Sequence, residues 1–87
     1  MEKHKDLVLF PLITEKAVDS IERDNKLTFI VGKNATKQEI KADIEKEFKV
    51  KVDGVNVIND LKGRKKAIVQ INKEFKANDI AMKLGVI

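Results

Sequence analysis

Residues 36–57 read Thr36-Lys37-Gln38-Glu39-Ile40-Lys41-Ala42-Asp43-Ile44-Glu45-Lys46-Glu47-Phe48-Lys49-Val50-Lys51-Val52-Asp53-Gly54-Val55-Asn56-Val57. Two periodicities meet inside this stretch. Ile40, Ile44 and Phe48 recur every four residues, which lines one face of an α-helix, while the charged residues take the other faces. Thr36 and Glu39 stand three apart at its start, the spacing at which a threonine hydroxyl and a glutamate carboxylate each satisfy an orphan backbone N–H. From Val50 the period drops to two. Val50 and Val52 share one phase, Val55 and Val57 the opposite one, and the flip falls on Asp53-Gly54, as a β-bulge requires. A capped helix over 36–48 running into a bulged strand makes this an α+β chain.

Downstream, Asp60-Leu61-Lys62-Gly63 has turn chemistry, and Ala67, Val69 and Ile71 alternate behind it, so residues 50–59 and 64–72 are expected to pair as a hairpin. Ala77, Ile80, Ala81 and Leu84 form a last helical stripe, with Gly85 as its natural terminator. Upstream, Leu7 to Ile13 is an apolar run interrupted by Pro11, hence an edge strand or extended entry segment. Thr14 offers an N-cap oxygen to a helix over about 15–23, whose apolar stripe is Ala17, Val18 and Ile21. Arg23 to Lys26 reads as a polar turn, and Leu27 to Val31 as a strand ending at Gly32. The order strand-helix-strand-helix-strand-strand-helix implies an α+β fold of two or three layers on a mainly antiparallel four-stranded sheet. We expect one domain over residues 1–87, with 1–6 a flexible tail.

Composition narrows the chemistry. In 87 residues there are 18 Lys plus Arg against 14 Asp plus Glu, a formal charge of +4, and no cysteine, which excludes disulfides and thiolate chemistry. His4 is the only histidine, too few for a metal site, and Ser20 has no histidine to activate it. The four glycines are scattered, so no phosphate-cradling loop forms. No apolar run suits a membrane span or secretory signal, and a soluble, intracellular, non-enzymatic chain without cofactor or metal is expected.

The charge is unevenly placed. Lys62, Arg64, Lys65 and Lys66 put four cations in five residues at the hairpin turn, for which phosphate is the natural partner. The set Lys33, Lys37 and Lys41 continues from the end of one strand onto the helix, and there Lys41 has Glu45 within pairing distance as an alternative. Glu15, Asp19 and Glu22 make the first helix acidic, a candidate face for a basic protein partner. The chain has four Phe and neither Tyr nor Trp, too little for base-stacking single-strand recognition, so contact with RNA is expected to run through backbone and shape.

Five landmarks in order, Pro11 to Ala17, Asn25 to Val31, Ala35 to Lys41, Val50-Lys51-Val52 with Val55-Asn56-Val57, and Lys65 to Val69, resemble those of the ribosomal protein twenty-three family of the large subunit. The resemblance spans nearly the whole chain. It implies a four-stranded antiparallel sheet with helices on both faces, bound to large-subunit ribosomal RNA beside the nascent-chain exit tunnel. Implied neighbours are ribosomal protein twenty-nine and, as exit-site factors, the signal recognition particle and the translocon, with no membrane insertion and a cytoplasmic location on the ribosome. The short hairpin between Asn59 and Lys65 is similar to the archaeal type, and Gln70 and Ile71 stand where relatives often carry a basic residue and leucine. Carried over by motif, Lys37, Lys41, Lys65 and Lys66 fall in segments implied to meet RNA, and Glu15 in the segment implied to dock factors. A ferredoxin-like hydrolase of the acylphosphatase kind needs a glycine-rich anion loop with an arginine, and neither Arg23 nor Arg64 lies in one. A free-standing interaction module using the acidic helix is the other alternative.

Overall fold

The computed structural model describes residues 8–85; the expected tail over 1–6, with His4, lies outside them. Along the chain run β1 (Val8–Pro11), α1 (Glu15–Asp24), β2 (Lys26–Val31), α2 (Lys37–Phe48), β3 (Val52–Asn59), β4 (Lys65–Ile71) and α3 (Ala77–Leu84). The strands make one sheet in the order β1-β2-β4-β3, every neighbouring pair antiparallel. Pro11 sits in β1 at the sheet's edge, where a residue without an N–H leaves no ladder bond unmade.

The capping box forms as read. Thr36 Oγ1 accepts from the Glu39 N–H at 3.2 Å, and Glu39 Oε1 accepts from the Thr36 N–H at 3.1 Å. α1 is capped by Thr14, whose hydroxyl accepts from the Ala17 N–H, and it runs through Arg23 and Asp24 instead of ending in a polar turn there. The turn shrinks to Asn25, left-handed at φ 57°, and Lys26 already belongs to β2. The bulge also appears: Val52 pairs with Ile71 and Gly54 with Gln70, leaving Asp53 as the extra residue. Val50 falls just before β3 and packs half-buried against the core.

Alternate residues of the two central strands, Leu27, Phe29 and Val31 with Ala67, Val69 and Ile71, meet Ile21 of α1, Ile40 and Ile44 of α2, and Ala77, Ile80 and Ala81 of α3 in one cluster. All three helices therefore share a single face, and of the two- and three-layer arrangements the chain adopts the two-layer one. The expectation of helices on both faces is corrected by the residues in between. Lys26, Thr28, Asn56, Lys66 and Gln70 lie on the opposite face by alternation, and around Ile30 and Ile68 they leave too polar a surface to seat a layer of helices. Ile58, on that face, remains 45% exposed.

Candidate nucleic-acid interface

The hairpin between β3 and β4 is a rigid turn built on one carboxylate. Asp60 Oδ1 accepts from the backbone N–H groups of Lys62 and Arg64, both at 2.9 Å, and Oδ2 accepts from the Arg64 guanidinium at 2.9 Å through Nε and again through Nη2. Backbone bonds close the loop, Asp60 N–H to the Arg64 carbonyl at 2.8 Å and Gly63 N–H to the Asp60 carbonyl at 3.0 Å, with Gly63 left-handed at φ 80°. Partial burial of the Asp60 carboxyl pushes its pKa up, but the hydrogen bonds from Arg64 and Lys62 and the guanidinium charge outweigh that and hold it below the ordinary value. Arg64 is thus engaged within the chain, while Lys62 stays exposed.

Lys65 is engaged too. Residues 65 and 66 point to opposite faces of the strand, and 65 falls on the helix side, opposite Val31. Its Nζ donates to the carbonyls of Lys33 and Ala35 at 3.0 and 2.9 Å, tying the β2–α2 loop to the base of the hairpin. Lys33 and Lys65 consequently line one shallow groove with Val57, Ile58, Asn59 and Gly63. Lys66 takes the helix-free face beside Ile30 and Ile58.

Of the seven cations singled out, the structure brings six together at one end of the sheet: Lys33 on the loop, Lys37 at the first turn of α2, and Lys62, Arg64, Lys65 and Lys66 on the hairpin. Lys41 lies one turn farther along α2 and is exposed. The anticipated Lys41–Glu45 pair is not made. Glu45 turns to the start of β3 instead, where Oε2 accepts from the Val52 N–H at 2.9 Å. The ammonium groups of Lys33, Lys62 and Lys66 pair with no described residue.

On α1, Glu15, Asp19 and Glu22 are all exposed and fall within one helix stripe, because Ala17 and Ile21 are buried and Val18 is half-buried. α1 ends at Asp24, and its cap residue Asn25 leads into β2 at the end of that strand opposite Lys33.

Asn25 is a residue that sequence reading passed over as turn chemistry. Its side-chain N–H groups donate to the carbonyls of Ile71 at 3.0 Å and Phe75 at 3.1 Å, with a longer approach to Asn72, and its Oδ1 accepts from the Ala77 N–H at 2.7 Å, the first helical N–H of α3. α3 lacks a side-chain cap from its own N-cap residue, Lys76. The cap comes from 52 residues upstream, a distance that no local pattern reports.

Among the described residues no cluster of His, Cys, Asp and Glu could hold a metal, and no helix is long and apolar enough to cross a membrane. A family model described as Ribosomal protein L23 matches residues 6–78. The chain belongs to the ribosomal protein L23 family. It is similar to the large ribosomal subunit protein uL23 of Thermoplasma acidophilum, 46% identical over 81 residues that cover 93% of this chain and 95% of that one. Membership makes the chain an archaeal-type structural constituent of the large ribosomal subunit, working with cytoplasmic ribosomes in translation, and not an enzyme. The hydrolase alternative also lacks its arginine: Arg64 is held by Asp60, and Arg23 lies on α1 with Asp24 at 3.9 Å.

Proposed function

We propose that residues 1–87 act as a single unit that binds large-subunit ribosomal RNA through the basic end of the sheet, beside the nascent-chain exit tunnel. The observation that carries this reading is the Lys65 bridge to the Lys33 and Ala35 carbonyls. It couples the β2–α2 loop to a turn already fixed by Asp60, so that Lys33, Lys62 and Lys66 stand on a preorganised scaffold with free ammonium groups. Cations held in place lose less entropy on meeting phosphates than cations on a mobile loop. Lys37, Lys41 and Arg64 flank them and extend the positive field. The acidic stripe of Glu15, Asp19 and Glu22 faces away from the RNA and serves as a docking surface for exit-site factors, the signal recognition particle and the translocon. Ribosomal protein twenty-nine is the proposed neighbour within the subunit.

Salt dependence tests the RNA reading. Each neutralised phosphate contributes ~0.7–0.9 to the slope of log affinity against log salt, so replacing Lys62 and Lys66 together with Gln should flatten that slope by about 1.4–1.8 against a large-subunit RNA fragment. Lys65→Gln should lower affinity with a smaller change in slope, because that ammonium orders a loop. An unchanged slope in the double variant would refute the assignment.

A further inference from the structure

Gly54 adjoins the bulge of an eight-residue strand, and neither its φ nor a close neighbour excludes a side chain there. Its φ is not positive, since Gly63 and Gly85 are the positive-φ glycines, and a Cβ built on it would meet no atom within 4 Å. Glycine inside a strand marks a bulge or a place where another backbone or a ligand approaches closely, and at Gly54 the bulge and an open approach coincide. The bulge turns Gly54 onto the helix-free face, directly beside Gln70, which in turn stands opposite Lys26. Gly54, Lys26, Asn56, Ile68 and Gln70 line a shallow trough there.

We propose that this trough seats a sugar–phosphate backbone of the RNA, as a second contact separate from the hairpin tip. Its chemistry selects an anionic, hydroxyl-rich strand. Lys26 supplies a cation that pairs with no described residue, Asn56 and Gln70 are exposed and carry donors and acceptors suited to phosphate and 2′-hydroxyl groups, and Ile68 provides a flat apolar floor. Thr28 and Lys66 continue the same face, and none of these positions is acidic, in contrast to the Glu15, Asp19 and Glu22 stripe of α1. A basic protein segment would be repelled by Lys26 and Lys66, whereas RNA is attracted by both.

The inference rests on the RNA-binding reading, and the test separates the two. Gly54→Val and Lys26→Gln are titrated with the large-subunit RNA fragment beside the Lys62, Lys66 double variant, and the thermal midpoint of each free protein is recorded. Gly54→Val should leave the midpoint equal or higher, as expected when valine replaces glycine in an unobstructed strand, and yet weaken RNA binding by at least about tenfold. Lys26→Gln should remove ~0.7–0.9 from the salt slope. If Gly54→Val and Lys26→Gln both bind as wild type while the double variant shows the flattened slope, the trough is not an RNA site and the tip reading survives. If all three bind as wild type, both readings fall. If Gly54→Val binds naked RNA normally but fails to enter subunits, a protein occupies the trough and the proposal is overturned.

Discussion

Asn25 joins three elements through one side chain. It ends α1 in a left-handed conformation that asparagine tolerates better than other residues bearing a Cβ, and it satisfies carbonyls at the end of β4 and the first N–H of α3. Asn25→Ala leaves those groups unpaired and adds left-handed strain, and should cost about 2–4 kcal/mol. Asn25→Gly relieves the strain but not the lost bonds, so it should be the milder of the two. Urea unfolding of both variants checks the order, and equal stability of Asn25→Ala and wild type would show that the side chain bears no structural role. At Asp60 the relevant variable is pH. Its native pKa lies below the ordinary 3.8, so its stabilisation of the turn is complete above that value and is lost as pH falls below it through the lowered native value. The amide resonances of Lys62 and Arg64 should therefore titrate together with a midpoint below 3.8. A midpoint at or above that value would mean that the carboxylate is not held by them in solution.

At the scale of elements, α2 carries the fold. Ile40 and Ile44 are 0% and 1% exposed among apolar neighbours, and among the described residues no polar side chain is buried to receive a charge. Ile44→Asp would bury an unpaired carboxylate, whose cost is several kcal/mol against a total stability of ~5–15 kcal/mol, and should unfold the chain at room temperature. Circular dichroism decides it; a native spectrum would place Ile44 outside the core. This helix was legible from its residues because every signal for it is local: Thr36 and Glu39 three apart, isoleucines four apart. The bulge at Asp53 was legible for the same reason, through the phase change between Val52 and Val55. What the pattern could not supply is the side of the sheet on which each helix packs. A 3.6 period says that α1, α2 and α3 each have a buried face, and nothing in it prevents them from dividing between two faces. The polar residues between the core positions of β2 and β4, Thr28, Lys66 and Gln70 among them, carry that information, and only pairing in register assembles them into one helix-free face. The candidate site divides likewise. The basic cluster was visible in the chain, whereas the engagement of Lys65 with carbonyls 30 and 32 residues away, and of Glu45 with β3, depends on tertiary proximity.

On the scale of the whole molecule, the proposed function rests on where charge is placed. Net charge is only +4, yet six cations stand at the hairpin end while Glu15, Asp19 and Glu22 line α1. That polarity would orient the chain on RNA while leaving α1 available to a basic partner. Glu15 also favours the positive end of its helix, worth ~0.3–1 kcal/mol, so docking must be distinguished from helix stabilisation. Glu15→Gln keeps the shape and removes the charge. Docking predicts that the signal recognition particle binds variant ribosomes more weakly by roughly 0.5–2 kcal/mol with occupancy of this protein unchanged, whereas equal affinities would confine Glu15 to stabilising α1.

The central claim, that the hairpin end meets RNA while α1 does not, is tested most directly by amine-reactive labelling of the free protein and of the protein within large subunits, read by mass spectrometry at each lysine. Lys33, Lys62 and Lys66 should label in the free chain and be protected in the subunit, while Lys16, exposed on α1, labels in both. Equal labelling of Lys62 and Lys66 in the two states would contradict the account.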